Sequence, residues 1–426
     1  MTETLTPDDL LRLRMRALGL TGTGLAGVPE DAPGAERITA VARGMLATQG
    51  QDWRSSRWAL GRRAPGTSAA DVSAAFNERR IVRSWPMRGT IHVVAAEDIG
   101  WMQRATNHRV LGGAAARREF LGIDDATLER LVAVSMAALA GSQGLTRDEL
   151  AEVWTEAGIA WQGAWRYHLI WWICQNGLAT FGPVRGEAEP LLVAAETWIE
   201  HPRTLDGDDA LVELAARYAA GRGPIRDHDL AWWTGLTVGE ARRATGLAAE
   251  AGRLQRVGLR DTDGTVIAGP AGQLWADPEI LGALPAGGRD GTVGMDGTGG
   301  TDHIDETGGA GSSRGADATA GAGPSDIPGW LLLPSFDEHL LGYTNRDAQM
   351  RPEDFDRIVP GRNGMFLATV VRRGRVVGTW KRAAGKRVRI ALAPMPKCRI
   401  NRRALSPELA RWARFHGHDG AEFIAD

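Results

Sequence analysis

The stretch LATQGQDW, from Leu46 to Trp53, sets Gln49 and Gln51 either side of Gly50 and follows them with Asp52. An amide side chain donates and accepts hydrogen bonds, but it does not exchange protons near neutral pH. Chemistry built on this pair therefore needs no group with a tuned pKa. Inside a helix, alternate residues point about 200° apart and cannot converge. The pair follows the apolar pattern ERITAVARGMLATQ, so we expect it at that helix's C-terminus. There Gly50 can turn left-handed and bring both side chains toward one volume. The plainer alternative is a glycine-capped helix with two solvated amides.

Other chemical signals fail on context. Gly22, Gly24 and Gly27 match GxGxxG but follow a helical pattern rather than a strand, so no dinucleotide site is expected. None of the three lysines (Lys381, Lys386, Lys397) precedes Ser or Thr, which excludes a phosphate-binding P-loop. Cys174 and Cys398 lie far apart, and the nine histidines are scattered, so neither a disulfide framework nor a metal site is expected. No cofactor is implied. No apolar run reaches the roughly 18 residues of a spanning helix, and the acidic start MTETLTPDD is unlike a secretory leader. A cytoplasmic protein of a high-GC bacterium is the expectation.

The net charge of −2 hides an asymmetry. Between Arg372 and Arg403 the chain carries many Arg and Lys and no acid, which suits a phosphate-facing surface or a solvated strand pair. By contrast, 286–326 is Gly, Ala, Thr, Ser and Asp with almost nothing apolar, so it reads as a disordered insertion.

The elements that must position the glutamines are mostly helical. TPDDLLRLRMRALGL opens on a Thr cap, and SAADVSAAFNERRIVRSW reads as a Ser-capped helix. PMRGTIHVVAAED then turns at Arg88-Gly89 into a strand. LTRDELAEVWTEAG carries a capping box at Thr146 and Glu149, WRYHLIWWICQNG follows, and LATFGPVRGEAEPLLV reads as a strand pair. A third round runs from DDALVELAARYAAGRG to a strand pair about Asp263-Gly264. The tryptophan pairs at 171–172 and 232–233 read as core. Helices followed by a hairpin are the pattern of a winged helix. The expected fold is therefore α+β and mainly helical, with three tandem winged-helix units over 1–135, 136–205 and 206–285. The 286–326 insertion follows, and then a β-rich region with basic strands over 327–426.

Taken in order, the Gln49–Gln51 pair, RGTIH (88–92), DLAWWTGL (229–236), LPSFDEHLLGYTNR (333–346) and VVGTWKR (376–382) resemble the AlkZ/YcaQ-like winged-helix DNA glycosylases. The resemblance runs from Thr6 to Arg403 with the insertion outside it. The QxQ form is similar to the AlkZ-like branch; the other branch has Asp at the second position. Gly50 stands where the family has a bulkier apolar residue, and Asp52 is an additional acid.

The resemblance implies a concave basic surface for duplex DNA and hydrolysis of the N-glycosidic bond of alkylated purines, above all N7-alkylguanine, without base flipping. Bulky adducts and interstrand crosslinks are included. A cationic N7-alkylguanine leaves without a general acid, so the protein must supply only a placed water and electron-rich oxygens near the sugar cation. Gln49 and Gln51 are the expected catalytic pair. Arg88, Thr90, His92, Lys381 and Arg382 are the expected DNA contacts. Asp52, Asp337, Glu338 and Arg346 are expected to support the site, the last three as an ion-pair network. The implied partner is duplex DNA with alkylated purines, bound by a monomer, with no membrane and no nucleotide cofactor. The alternative is a non-catalytic winged-helix regulator.

Overall fold

The computed structural model describes residues 3–282, 327–384 and 387–424. The 286–326 insertion expected from sequence lies outside the described residues.

Helices begin where local capping chemistry directs them. Thr6, Ser68, Thr146 and Thr237 cap the helices Pro7–Ala17, Ala69–Asn77, Arg147–Glu156 and Val238–Glu250. In each, an acid three residues on returns a bond to the cap backbone. SAADVSAAFNERRIVRSW is not one helix, however. The helix stops at Asn77, and Ile81–Met87 is a strand buried along its whole length. Pro86 would break a helix continued through this run.

The Ile81–Met87 strand pairs antiparallel with Thr90–Ala95 across a turn at Arg88 (φ 53°) and Gly89 (φ 67°). Thr48–Gln49 flanks Thr90–Ala95 at one edge of this sheet. At the other side, Ile81–Met87 pairs with Ala179–Phe181, which pairs with Leu192–Ala194. The first two expected hairpins thus belong to a single five-stranded sheet. The third, Gln255–Leu259 with Gln273–Ala276, joins Thr4–Leu5 in a three-stranded sheet. About Asp263-Gly264 there is only an isolated Arg260–Val266 bridge.

A five-stranded C-terminal sheet contains Trp330–Leu333, Thr369–Arg372, Arg375–Arg382, Arg389–Pro394 and Glu422–Phe423. Its hairpin turns at Arg373 (φ 49°) and Gly374 (φ 80°). This sheet and the N-terminal helices share one core. Trp58 on the Trp53–Arg63 helix donates its indole N–H to the Leu332 carbonyl at 2.8 Å. Arg63, fully enclosed on the same helix, makes two 2.9 Å bonds to Asp337. Breaking one member out of such a buried pair costs about 3–5 kcal/mol, because the other charge is stranded. Residues nearly 300 positions apart are held to the same few ångströms in this way.

Candidate active site

The helix before the glutamines spans Gly34–Gly44, and the chain leaves it through Leu46, which takes the left-handed φ of 61°. Thr48–Gln49 is then a two-residue strand, so Gln49 sits on a sheet edge and not on a helix end, and Gln51 follows in a bend. Gly50 has no positive φ, contrary to expectation. What it provides is a close approach: a Cβ there would lie 3.1 Å from the His92 Cα and carbonyl carbon. Gln51 lies in the bend that follows, two residues beyond the strand end.

Register explains how this short strand is held. Gly50 N–H donates to the Ile91 carbonyl at 2.8 Å, so the neighbouring Gln49–His92 pair is the non-hydrogen-bonded kind. The Gln49 N–H therefore points off the edge of the sheet. It meets Glu338, donating to Oε1 at 3.1 Å. Arg83 Nε donates to the Gly50 carbonyl at 2.8 Å, and its Nη1 pairs with Glu189 at 2.9 Å. Arg222 donates to the carbonyls of Met45 at 2.8 Å and Ala47 at 2.6 Å. Two buried arginines and one buried carboxylate thus pin the backbone from Met45 to Gly50, while the amides stay uncharged. Gln49 is 8% exposed, and Gln51 is open to solvent.

Each acid near the pair is already engaged. Asp52 caps the Trp53–Arg63 helix through Ser55 N–H at 2.7 Å. Glu338 Oε2 accepts from Arg222 Nε (3.0 Å) and from Trp233 Nε1 (3.1 Å), and Arg222 Nη2 lies at an ion-pair distance of 2.9 Å. Asp337 accepts the two Arg63 bonds and the His339 N–H. Burial alone would raise the Asp337 carboxyl, but Arg63 and the His339 N–H hold it below its ordinary value. Arg346 is not part of an ion pair as expected. It donates to the carbonyls of Leu340 and Thr344 and lies over the rings of Trp232, Phe355 and Phe366. Burial lowers it to about 10.

The RGTIH segment faces inward more than expected. Arg88 donates to the Trp232 carbonyl at 3.1 Å and stacks 4.4 Å over that ring. Thr90 is half-buried. His92 is fully buried, so it offers nothing to a DNA groove from this position. Its ring is enclosed by the sheet and by Trp233, and burial pushes its pKa down to about 3, aided by the positive Arg88 and Arg222. Lys381 is exposed and Arg382 half-exposed, and both line a cleft of about 220 Å³ with Arg54, Ser55, Trp58, Ser335, Trp380 and Trp412. The cleft begins two residues beyond Asp52, so the expected basic strand and the start of the helix after the glutamines share one surface. Among the described residues, no cluster suits a metal ion and no helix is long and apolar enough to cross a membrane.

Sequence reading missed Arg83 and Arg222. Both lie in stretches without a local signal, and their partners are distant in the chain.

The profile described as "DNA glycosylase AlkZ-like" matches residues 42–415, a span that includes the glutamines, Glu338 and the basic strand. This places the chain among the DNA glycosylases, enzymes whose partner is DNA. Within that class, it belongs to the AlkZ-like family. Its fold is similar to that of the Streptomyces sahachiroi DNA glycosylase AlkZ, with a TM-score of 0.69, 18% identity, and 99% of each chain covered. No curated protein sequence matches the chain.

Proposed function

We propose that the chain hydrolyses the N-glycosidic bond of cationic N7-alkylguanine in duplex DNA, with Gln49 and Gln51 placing the attacking water. The observation that carries this reading is the commitment of every nearby carboxylate to another partner. Asp52 caps a helix, Glu338 takes three N–H donors and pairs with Arg222, and Asp337 is paired with Arg63. Among the described residues, Asp337 and Glu338 are buried in ion pairs and Asp52 serves as a helix cap, which supports a leaving base that brings its own positive charge. As the bond opens, two amide oxygens offer partial negative charge to the sugar cation without the desolvation cost of an ionised carboxylate.

The duplex lies along a surface that includes Arg54, Lys381 and Arg382, which meet phosphates. Three winged-helix units, the first two sharing a sheet, frame that surface in a monomer. An exposed Gln51 suits attack on a nucleotide left in the stack, which a crosslinked guanine requires. The reading is tested by incubating the protein with duplexes bearing one N7-methylguanine or one neutral hypoxanthine, then revealing abasic sites with alkali. Release of N7-methylguanine with little release of hypoxanthine is expected. Equal release of both would show that an acid acts on the leaving base. Tight binding with no release would favour a DNA-binding role.

A further inference from the structure

We propose that His92 sets the orientation of the Gln49 amide: the Gln49 NH2 donates to His92 Nε2, and the Gln49 carbonyl oxygen is turned outward to the reacting centre. The proposal rests on reading Gln49 as a catalytic side chain, and it makes His92 a positioning residue.

Gln49 and His92 are direct cross-strand partners at a non-hydrogen-bonded position. Such partners stand on the same face with Cβ atoms about 4.5–5.5 Å apart, the closest approach a sheet offers. His92 Nδ1 lies 2.9 Å from the Thr90 carbonyl. A carbonyl only accepts, so Nδ1 carries the hydrogen. Burial keeps the ring neutral, so Nε2 is a bare acceptor. That atom is buried and has no hydrogen-bond partner.

The Gln49 Oε1 is also buried and without a partner. Two acceptors on facing side chains cannot satisfy each other, and each orphaned group costs about 1–3 kcal/mol. In the proposed arrangement the Gln49 amide is turned by half a revolution about its last bond. The NH2 then points inward to Nε2, and the oxygen moves to the outer side, where Gln51 is open to solvent. The ring is braced for this role. Trp233 lies edge-on to it, with centroids 6.3 Å apart, and Trp233 Nε1 is bonded to Glu338. Glu338 also holds the Gln49 N–H, so one buried carboxylate fixes both members of the pair.

The test is a double-mutant cycle on single-turnover release of N7-methylguanine from a duplex, with DNA affinity measured in parallel. His92→Phe is expected to slow release by on the order of 10- to 100-fold, the usual cost of losing a group that orients an active side chain. In a Gln49→Ala background the same substitution should change the rate by less than about twofold, because nothing is left to orient. His92→Gln returns an acceptor oxygen near the Nε2 position and should recover part of the rate. Equal slowing in both backgrounds, or full activity of His92→Phe, overturns the proposal while leaving the role of Gln49 intact. Full activity of Gln49→Ala overturns both. If His92→Phe does not fold, the ¹⁵N shifts of His92 decide. A bare Nε2 whose shift moves on Gln49→Ala supports the proposal, and a protonated or unresponsive Nε2 refutes it.

Discussion

Replacing Glu338 by Gln tests how the site is held. The change keeps shape and volume and removes one charge. The three groups that hydrogen-bond the Glu338 carboxylate are all N–H donors, the Gln49 main chain on Oε1 and Arg222 Nε and Trp233 Nε1 on Oε2, with Arg222 Nη2 at ion-pair distance. An amide has one oxygen and one NH2, so either orientation sets donor against donor. The less costly choice leaves the oxygen with Arg222 and Trp233 and turns the NH2 on the Gln49 N–H. Arg222, fully enclosed, loses its counter-charge and is left with neutral acceptors only: the amide oxygen and the carbonyls of Met45 and Ala47. Removing one partner of a buried ion pair costs about 3–5 kcal/mol. For a chain of this size the unfolding entropy is roughly 0.8 kcal/mol per kelvin, so Tm should fall by roughly 4–6 °C. The edge strand should lift at Gln49, and a displacement near 1 Å slows a positioned reaction by about 100-fold. Thermal unfolding and single-turnover release of N7-methylguanine at 25 °C read the two effects separately. A Tm within about a degree of wild type together with an unchanged rate would refute this account of the anchor.

Further outcomes follow from the same geometry. Gly50→Ala puts a Cβ 3.1 Å from the His92 backbone, so the paired strands must shift by a few tenths of an ångström; a stability loss of about 1 kcal/mol and slower release are expected, read by urea unfolding and the same assay. His92 and His339 are buried with pKa values pushed down to about 3 and about 4 from an ordinary 6.5. The unfolded chain therefore takes up these protons first, and stability should fall as pH drops from about 6.5 toward 4, by up to about 1.4 kcal/mol per pH unit for each histidine. Urea unfolding between pH 7 and 5 checks this, and a flat profile contradicts it. Lys381→Ala and Arg382→Ala should each weaken duplex binding and reduce the slope of log affinity against log salt by roughly 0.9, measured by fluorescence anisotropy.

Local features were legible in the sequence because their causes are local. The caps at Thr6 and Ser68, the capping box at Thr146 and the turn at Arg88-Gly89 each depend on three or four neighbouring residues. The glutamine pair stood out in the sequence but was misplaced on a helix end. A two-residue strand has no periodicity of its own, and Thr48–Gln49 is a strand only because Thr90–Ala95 lies beside it. The same applies to Ile81–Met87, whose apolar run suits a buried strand or a buried helix equally until its partners are known. Arg83, Arg222 and Glu338 hold the site through contacts 33, 175 and 289 residues away in the chain, so no local pattern marks them. Asp52, read as an acid near the chemistry, is accounted for by a short-range cap to Ser55.

The central claim is that two uncharged amides cut this bond because the leaving base supplies its own charge. The most direct measurement is single-turnover release of N7-methylguanine by wild type and Gln51→Ala, with duplex affinity determined for both. The account predicts that Gln51→Ala loses about 100-fold or more in rate, the scale for removing one electrostatic contact to a charged transition state, with affinity retained. Release at the wild-type rate by Gln51→Ala would contradict it.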